Sequence, residues 1–206
     1  MSIHSNIPQI GLGTYMMSPE EAEEMTYEAI KVGYRHIDTA EVYRNEKGVA
    51  NGIKKAINEG LTKRSDLFIT TKVFPGNKMW GQEQKKYDDV IEAFQKSLAR
   101  LELDYIDLYL IHSAHANNTR IEQWKALLDL KSDKKIHYAG VANWNIKHIQ
   151  ELIDLDLPTP DTNQIELHPW AQQPELVQFL NTKDIHIIAY SSLVPLSTWR
   201  KKEGEN

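Results

Sequence analysis

Short apolar runs alternate with longer amphipathic stretches along the whole chain, and this alternation constrains the fold more than any other feature. The runs occupy residues 9–13, 35–38, 67–72, 106–112, 137–142, 162–167 and 186–190. They show little polar alternation, which is the pattern of strands covered on both faces. The stretches between them read as helices with recognisable ends. Ser18, Pro19, Glu20 and Glu21 supply an N-cap, a proline at the first helical position and acids in the first turn. Gly33 stands where a C-terminal cap is wanted. Further helices are expected at 46–59, 83–100, 120–130, 146–153 and 174–181. Strand–helix alternation of this kind demands a parallel sheet, either doubly wound or closed into a barrel.

Two observations choose between these. A doubly wound dinucleotide fold wants Gly-x-Gly-x-x-Gly after its first strand, and Gly11-Leu12-Gly13-Thr14-Tyr15-Met16 lacks the third glycine. Polar residues also recur at the ends of the second to sixth strands, as a barrel with one communal mouth requires. The expected fold is therefore an α/β barrel of the (β/α)8 type. Seven strands are found where such a barrel has eight, and residues 191–206 read as loop and tail. The expected organisation is an incomplete barrel over 1–196, without the eighth strand and last helices, followed by a polar tail over 197–206.

Charge and composition exclude several classes. The net charge is -5, and no basic block outgrows its acidic neighbours, which argues against a nucleic-acid partner. Cysteine is absent, so disulfides, thiolate catalysis and cysteine zinc sites fall away, and no metal site is expected. No apolar stretch is long enough to span a bilayer and no signal-type segment opens the chain, so no membrane association and a cytoplasmic location are expected.

Four strand-end residues have no use in a core: Asp38, Tyr43, Lys72 and His112. An acid, a phenol, an amine and an imidazole at one barrel mouth make a proton-transfer device. A free tyrosine, with a pKa near 10, is a poor donor at neutral pH, and a nearby ammonium is expected to lower that pKa. Lys72 can supply the charge, Asp38 can hold the lysine, and His112 can orient a carbonyl oxygen against Tyr43. Such a general acid contributes roughly 10²–10⁴-fold in rate. With no nucleophile or metal cluster evident, reduction by this set requires a bound hydride donor. Tyr190 could stack on a nicotinamide ring, Asn143 and Gln164 match a carboxamide, and Ser191, Ser192 and Leu193 offer donors to a pyrophosphate. Each has a plainer reading: Asp38-Thr39 as a helix cap, Tyr43 as packing, Lys72 as a surface residue, His112 as a loop histidine, the amides as loop caps. Their joint occurrence on three consecutive strands favours the site.

The chain resembles the aldo-keto reductases, on the segments Gly11–Thr14, Gly33–Tyr43, Ile69–Lys72, Asp104–His112, Gly140–Asn143, Asn163–Pro169 and Ala189–Ser191. The resemblance implies NADPH-dependent reduction of an aldehyde or ketone on a (β/α)8 barrel, with a catalytic tetrad of Asp38, Tyr43, Lys72 and His112 and Tyr43 as proton donor. It implies nicotinamide contacts at Thr14, Asp38, Asn143, Gln164 and Tyr190 and pyrophosphate contacts at Ser191 and Leu193. The resemblance implies NADP(H) as the cofactor, with NAD(H) as the alternative, because the missing last strand and helix are where the family grips the 2'-phosphate. Ser113-Ala114-His115 replaces an aromatic and a proline, leaving Tyr15, Phe74, Trp80 and His112 to line the substrate pocket. Ala142 stands where the family has serine. A non-catalytic cofactor-binding barrel, an inactive fragment, and a Schiff-base aldolase using Lys72 are the competing readings. Exposed barrel edges lead to an expectation of self-association.

Overall fold

In the computed structural model, which describes residue 3 and residues 6–193, seven parallel strands pair in chain order. They are β1 (Gly11–Gly13), β2 (His36–Asp38), β3 (Phe68–Val73), β4 (Ile106–Ile111), β5 (Ile136–Ala142), β6 (Thr162–Glu166) and β7 (His186–Tyr190). The helices between them are α1 (Pro19–Lys31), α2 (Glu46–Asn58), α3 (Tyr87–Leu101), α4 (Arg120–Ser132), α5 (Ile146–Asp154) and α6 (Pro174–Thr182). The order and the alternation are those expected from the sequence. The sheet curls into a nearly closed (β/α)8-type barrel. Gln164 of β6 donates to Asp38 of β2 at 2.7 Å, although three strands separate them in the sheet. Among the described residues β1 and β7 do not pair. The expected tail over 197–206 lies outside the described residues.

Strand parity makes two cores from one sheet. Side chains alternate across a strand, so Phe68, Leu108, Leu110, Tyr138 and Ala142 fill the barrel, with Ile188 packed against them. Their odd-numbered neighbours Ile69, Val73, Tyr109, Ile111, Ala139 and Val141 face the helices. The register Asp38↔Thr70↔Leu108↔Tyr138 aligns the inward residues of four strands in one layer. Space inside is tight: a Cβ on Gly140 would lie 2.5 Å from Thr162 Cγ2 and 2.7 Å from Leu110 Cδ2. A slip of one residue in any strand would exchange the two cores.

The helix ends follow local chemistry. Ser18 Oγ accepts from the Glu21 amide at 3.1 Å, while the Glu21 carboxylate accepts from the Ser18 amide at 2.7 Å, a reciprocal cap. Gly33 takes the left-handed conformation (φ 105°) that ends α1. Helix α3 begins at Tyr87 instead of residue 83. The preceding segment is held as loop, with the amides of Gln82 and Lys85 bound to the carbonyls of Asn77 and Pro75. Strand β4 stops at Ile111, and His112 stands one residue beyond, its amide on the Val73 carbonyl at 2.9 Å.

Candidate active site

Asp38, Lys72 and His112 share the inward parity of β2, β3 and β4, so the fold delivers all three to the barrel interior at its carboxyl-terminal end. Lys72 is fully buried. Its ammonium donates to Asp38 Oδ1 and, at 2.9 Å, to the Thr39 carbonyl. The other Asp38 oxygen accepts from Gln164 Nε2. A buried ion pair is tolerated only when its remaining valences are met, and both partners here have further bonds. The same arrangement argues against Lys72 as a Schiff-base nucleophile, since its nitrogen is buried and held by two acceptors.

Tyr43 arrives from outside the strands, on a 3-10 turn (Glu41–Tyr43) closed by Arg44 in the left-handed conformation (φ 57°). Its hydroxyl stands 3.5 Å from His112 Nε2, with the two rings edge to face, and the Lys72 nitrogen lies 5.1 Å from the Tyr43 ring centre. The four predicted residues therefore do converge.

Their protonation differs from the sequence expectation in one respect. Burial pushes the Tyr43 phenol well up, with Asp38 and Tyr15 adding to the effect, instead of the expected lowering by Lys72. The reason is that loss of water around the hydroxyl outweighs the nearby ammonium, and the Asp38 carboxylate opposes the phenolate. Burial, followed by the Lys72 charge, lowers the His112 pKa to about 3, so its imidazole is neutral. His112 Nδ1 is buried without a hydrogen-bond partner. A proton on Nε2 leaves only an acceptor unmet at Nδ1, which favours Nε2–H as the donor facing the site.

Residues proposed from the sequence for a cofactor are placed unequally. Asn143, Tyr190, Ser191 and Leu193 lie at the same end of the barrel. The Tyr190 hydroxyl donates to Asn143 Oδ1 at 2.8 Å, and Asn143 Nδ2 donates to the His112 carbonyl at 3.1 Å. Asn143 and Ser191 adopt left-handed backbone (φ 61° and 53°), and Leu193 is exposed. Gln164 is buried against Asp38. Thr14 has no exposed surface, and its hydroxyl and amide are engaged with the Asp38 carbonyl and Asn45, so it ties strand ends together. Of the substrate-lining candidates, Tyr15 packs 5.1 Å from the Tyr43 ring and Phe74 is half-buried at the end of β3. The Trp80 side chain lies outside the described part of the structure.

Sequence reasoning passed over the groups that hold the tetrad's loops. Asn45, fully buried, donates to the carbonyls of Thr14 and Met17 and accepts from Thr39 Oγ1 at 2.9 Å, stapling two loops. It occupies the N-cap position of α2 but makes no side-chain cap bond there. Glu46 is buried with Thr71 and Arg100, at 2.7 and 2.6 Å. Glu41 accepts from the Phe74 amide at 2.6 Å and from Lys85 Nζ at 2.8 Å, tying the turn that carries Tyr43 to the end of β3. The signal available was an Asn-Glu pair before an apolar helix, which reads equally as an ordinary helix start.

The sequence profile of the aldo/keto reductase family matches residues 9–205. The chain is 39% identical to the D/L-glyceraldehyde reductase of Hypocrea jecorina, covering 90% of this chain and 60% of that protein. It is 42% identical to a methylglyoxal reductase of Escherichia coli, covering 91% of this chain and 64% of that protein. A Bombyx mori aldo-keto reductase in complex with NADP superposes with a TM-score of 0.82 at 37% identity, over 90% of this chain and 62% of that one. A Brucella melitensis aldo/keto reductase superposes at 0.81 and 40% identity, over 93% and 71%. The chain belongs to the aldo/keto reductase family. It spans a little under two thirds of the length of the two reductases compared by sequence. Among the described residues no helix is long and apolar enough to cross a membrane, and no cluster of acidic and histidine side chains could hold a metal ion.

Proposed function

We propose that this protein reduces an aldehyde or ketone to the alcohol with NADPH, using Tyr43 as the general acid. The observation that carries this reading is the convergence of the Tyr43 hydroxyl, a neutral His112 and the buried Lys72–Asp38 pair at one barrel mouth. Relatives that are glyceraldehyde and methylglyoxal reductases, and a structural neighbour in complex with NADP, support it.

The residues fit such a cofactor. The Tyr190 ring is half-buried and its hydroxyl is tied to Asn143, so one aromatic face is fixed at the mouth. Ser191, Ser192 and Leu193 follow directly and are partly or fully open to solvent, as a phosphate-bearing partner would need. When bound, a reduced nicotinamide dinucleotide supplies hydride to the carbonyl carbon. The protein's part is the proton and the oxygen. His112 Nε2–H donates a hydrogen bond that orients the carbonyl oxygen, and Tyr43 gives that oxygen its proton. The raised Tyr43 pKa keeps this proton in place across the ordinary pH range. The Lys72 charge near the ring then stabilises the phenolate left behind, and Asp38 keeps the lysine aligned.

The test is NADPH consumption with a panel of small aldehydes, comparing the wild type with Tyr43→Phe. Turnover should fall by roughly 10²–10⁴-fold with NADPH affinity unchanged. Retained turnover in the variant would remove Tyr43 from its role. NADPH binding with no turnover of any carbonyl would make the barrel a cofactor-binding module.

A further inference from the structure

Beside the tetrad, where His112 leads into Ser113, lies a cavity of about 510 Å³ between the loop after β3, the loop after β4 and the start of α5. Its lining is unusual for a chain of net charge -5. Among the described residues no carboxylate lines it. Instead it presents one ammonium, Lys78, two imidazoles, His115 and His148, the Ser113 hydroxyl and five side-chain amides, with Met79 and Ala114 as its apolar part. Lys78 has no ion-pair partner among the described residues, whereas the other loop cation close by, Lys85, is held by Glu41.

The walls are tied to each other. Ser113 Oγ and His115 Nδ1 are 2.8 Å apart, and Gln84 bridges the two loops, donating to the His115 carbonyl at 3.4 Å and accepting from the Asn118 amide at 3.3 Å. Asn143, which also lines the cavity, donates to the His112 carbonyl. One wall of the cavity is thus hydrogen-bonded to the backbone of a tetrad member.

We infer that this cavity receives the far end of the carbonyl substrate, and that this end carries an anionic, hydrogen-bond-accepting group such as a carboxylate. The inference rests on the reductase reading above and adds a substrate class to it. With one cation and no acid beside amide and imidazole groups, the cavity favours a chain that ends in an oxyanion over a neutral alkyl tail, while Met79 and Ala114 can take the aliphatic stem that carries the charge. A carboxylate satisfies those donors and pairs with Lys78.

The test compares succinic semialdehyde with butanal, which lacks the carboxylate. The wild type is expected to favour succinic semialdehyde in kcat/KM by about tenfold or more, the effect of one charge-assisted contact. Lys78→Met should bring the ratio close to one while butanal turnover persists. Ser113→Trp, which fills the cavity, should reduce succinic semialdehyde turnover more than butanal turnover. Equal use of both aldehydes by the wild type, or a ratio unmoved by Lys78→Met, would overturn the inference. A second measurement is independent of turnover: succinate binding followed by NMR at the Gln84 and Asn118 side-chain amides, in wild type and Lys78→Met. Binding lost in the variant supports the cavity's role even if no aldehyde is reduced, and that outcome would defeat only the reductase reading. No succinate binding to the wild type would overturn the cavity's role.

Discussion

The two halves of this barrel are built differently. In β3 and β4 every residue is buried, between strands on both edges and cores on both faces. In β7 none is buried, and its outer edge has no partner among the described residues. The division matches the proposed function. Asp38, Lys72 and His112 belong to the enclosed half, where low dielectric strengthens the Lys72–Asp38 pair and keeps His112 neutral. Asn143, Tyr190, Ser191 and Leu193 belong to the open half, where a large ligand can enter. A proton-transfer device needs fixed distances and shifted pKa values, which only a packed interior supplies. A cofactor site needs accessible surface.

The sharpest way to break this comparison is to remove equivalent bulk from each half. Leu110→Ala, in the barrel interior on β4, should cost about 2–5 kcal/mol. Ile188→Ala packs against the same interior cluster from β7 but is only partly buried, and should cost no more than about 1–2 kcal/mol. Urea unfolding midpoints at constant slope measure both. Equal losses would mean that β7 is as integral to the core as β4.

Acid should act on the enclosed half. The folded pKa of His112, about 3, lies below its unfolded value of 6.5. Below about pH 6.5 the unfolded chain therefore binds a proton that the folded chain refuses. The stability is complete above that pH and is lost as pH falls toward 3. At about pH 4.5 this one residue should account for a loss of about 3 kcal/mol. His36 and His148, whose pKa values burial also lowers, contribute in the same direction. The His112 share is the difference between the melting-temperature profiles of wild type and His112→Asn, and parallel profiles would remove it.

The smallest effect is expected in the open half. Tyr190→Phe removes the hydroxyl that donates to Asn143 and keeps the ring. Stability should change by no more than about 1 kcal/mol and NADPH affinity by about threefold, measured by calorimetry. A large loss of stability would show that this half also serves as core.

Most of the frame was legible in the sequence, because its signals are local. The apolar runs of 4–7 residues, the Ser18–Glu21 cap and Gly33 each act within a few residues, and parity alone then sends Asp38, Lys72 and His112 to the same side. Tyr43 was legible through the family resemblance of the segment Gly33–Tyr43. The supports of the site were not. Asn45 resembles a helix cap but holds Thr14 and Met17, Glu46 reaches Arg100, and Glu41 reaches Lys85. These contacts join residues 28 to 54 positions apart, and only the packing of loops brings them together.

What the sequence determined by itself is the succession of elements and the identity of the four groups at the barrel mouth, since periodicity and residue chemistry are properties of short segments. The tertiary structure alone decided their condition. It buried Tyr43 deeply enough to raise its pKa where a nearby lysine suggested lowering, removed Thr14 from the surface, and opened a donor-lined cavity beside His112. Desolvation and distance set these outcomes, and both depend on which distant residues the closed barrel brings into contact.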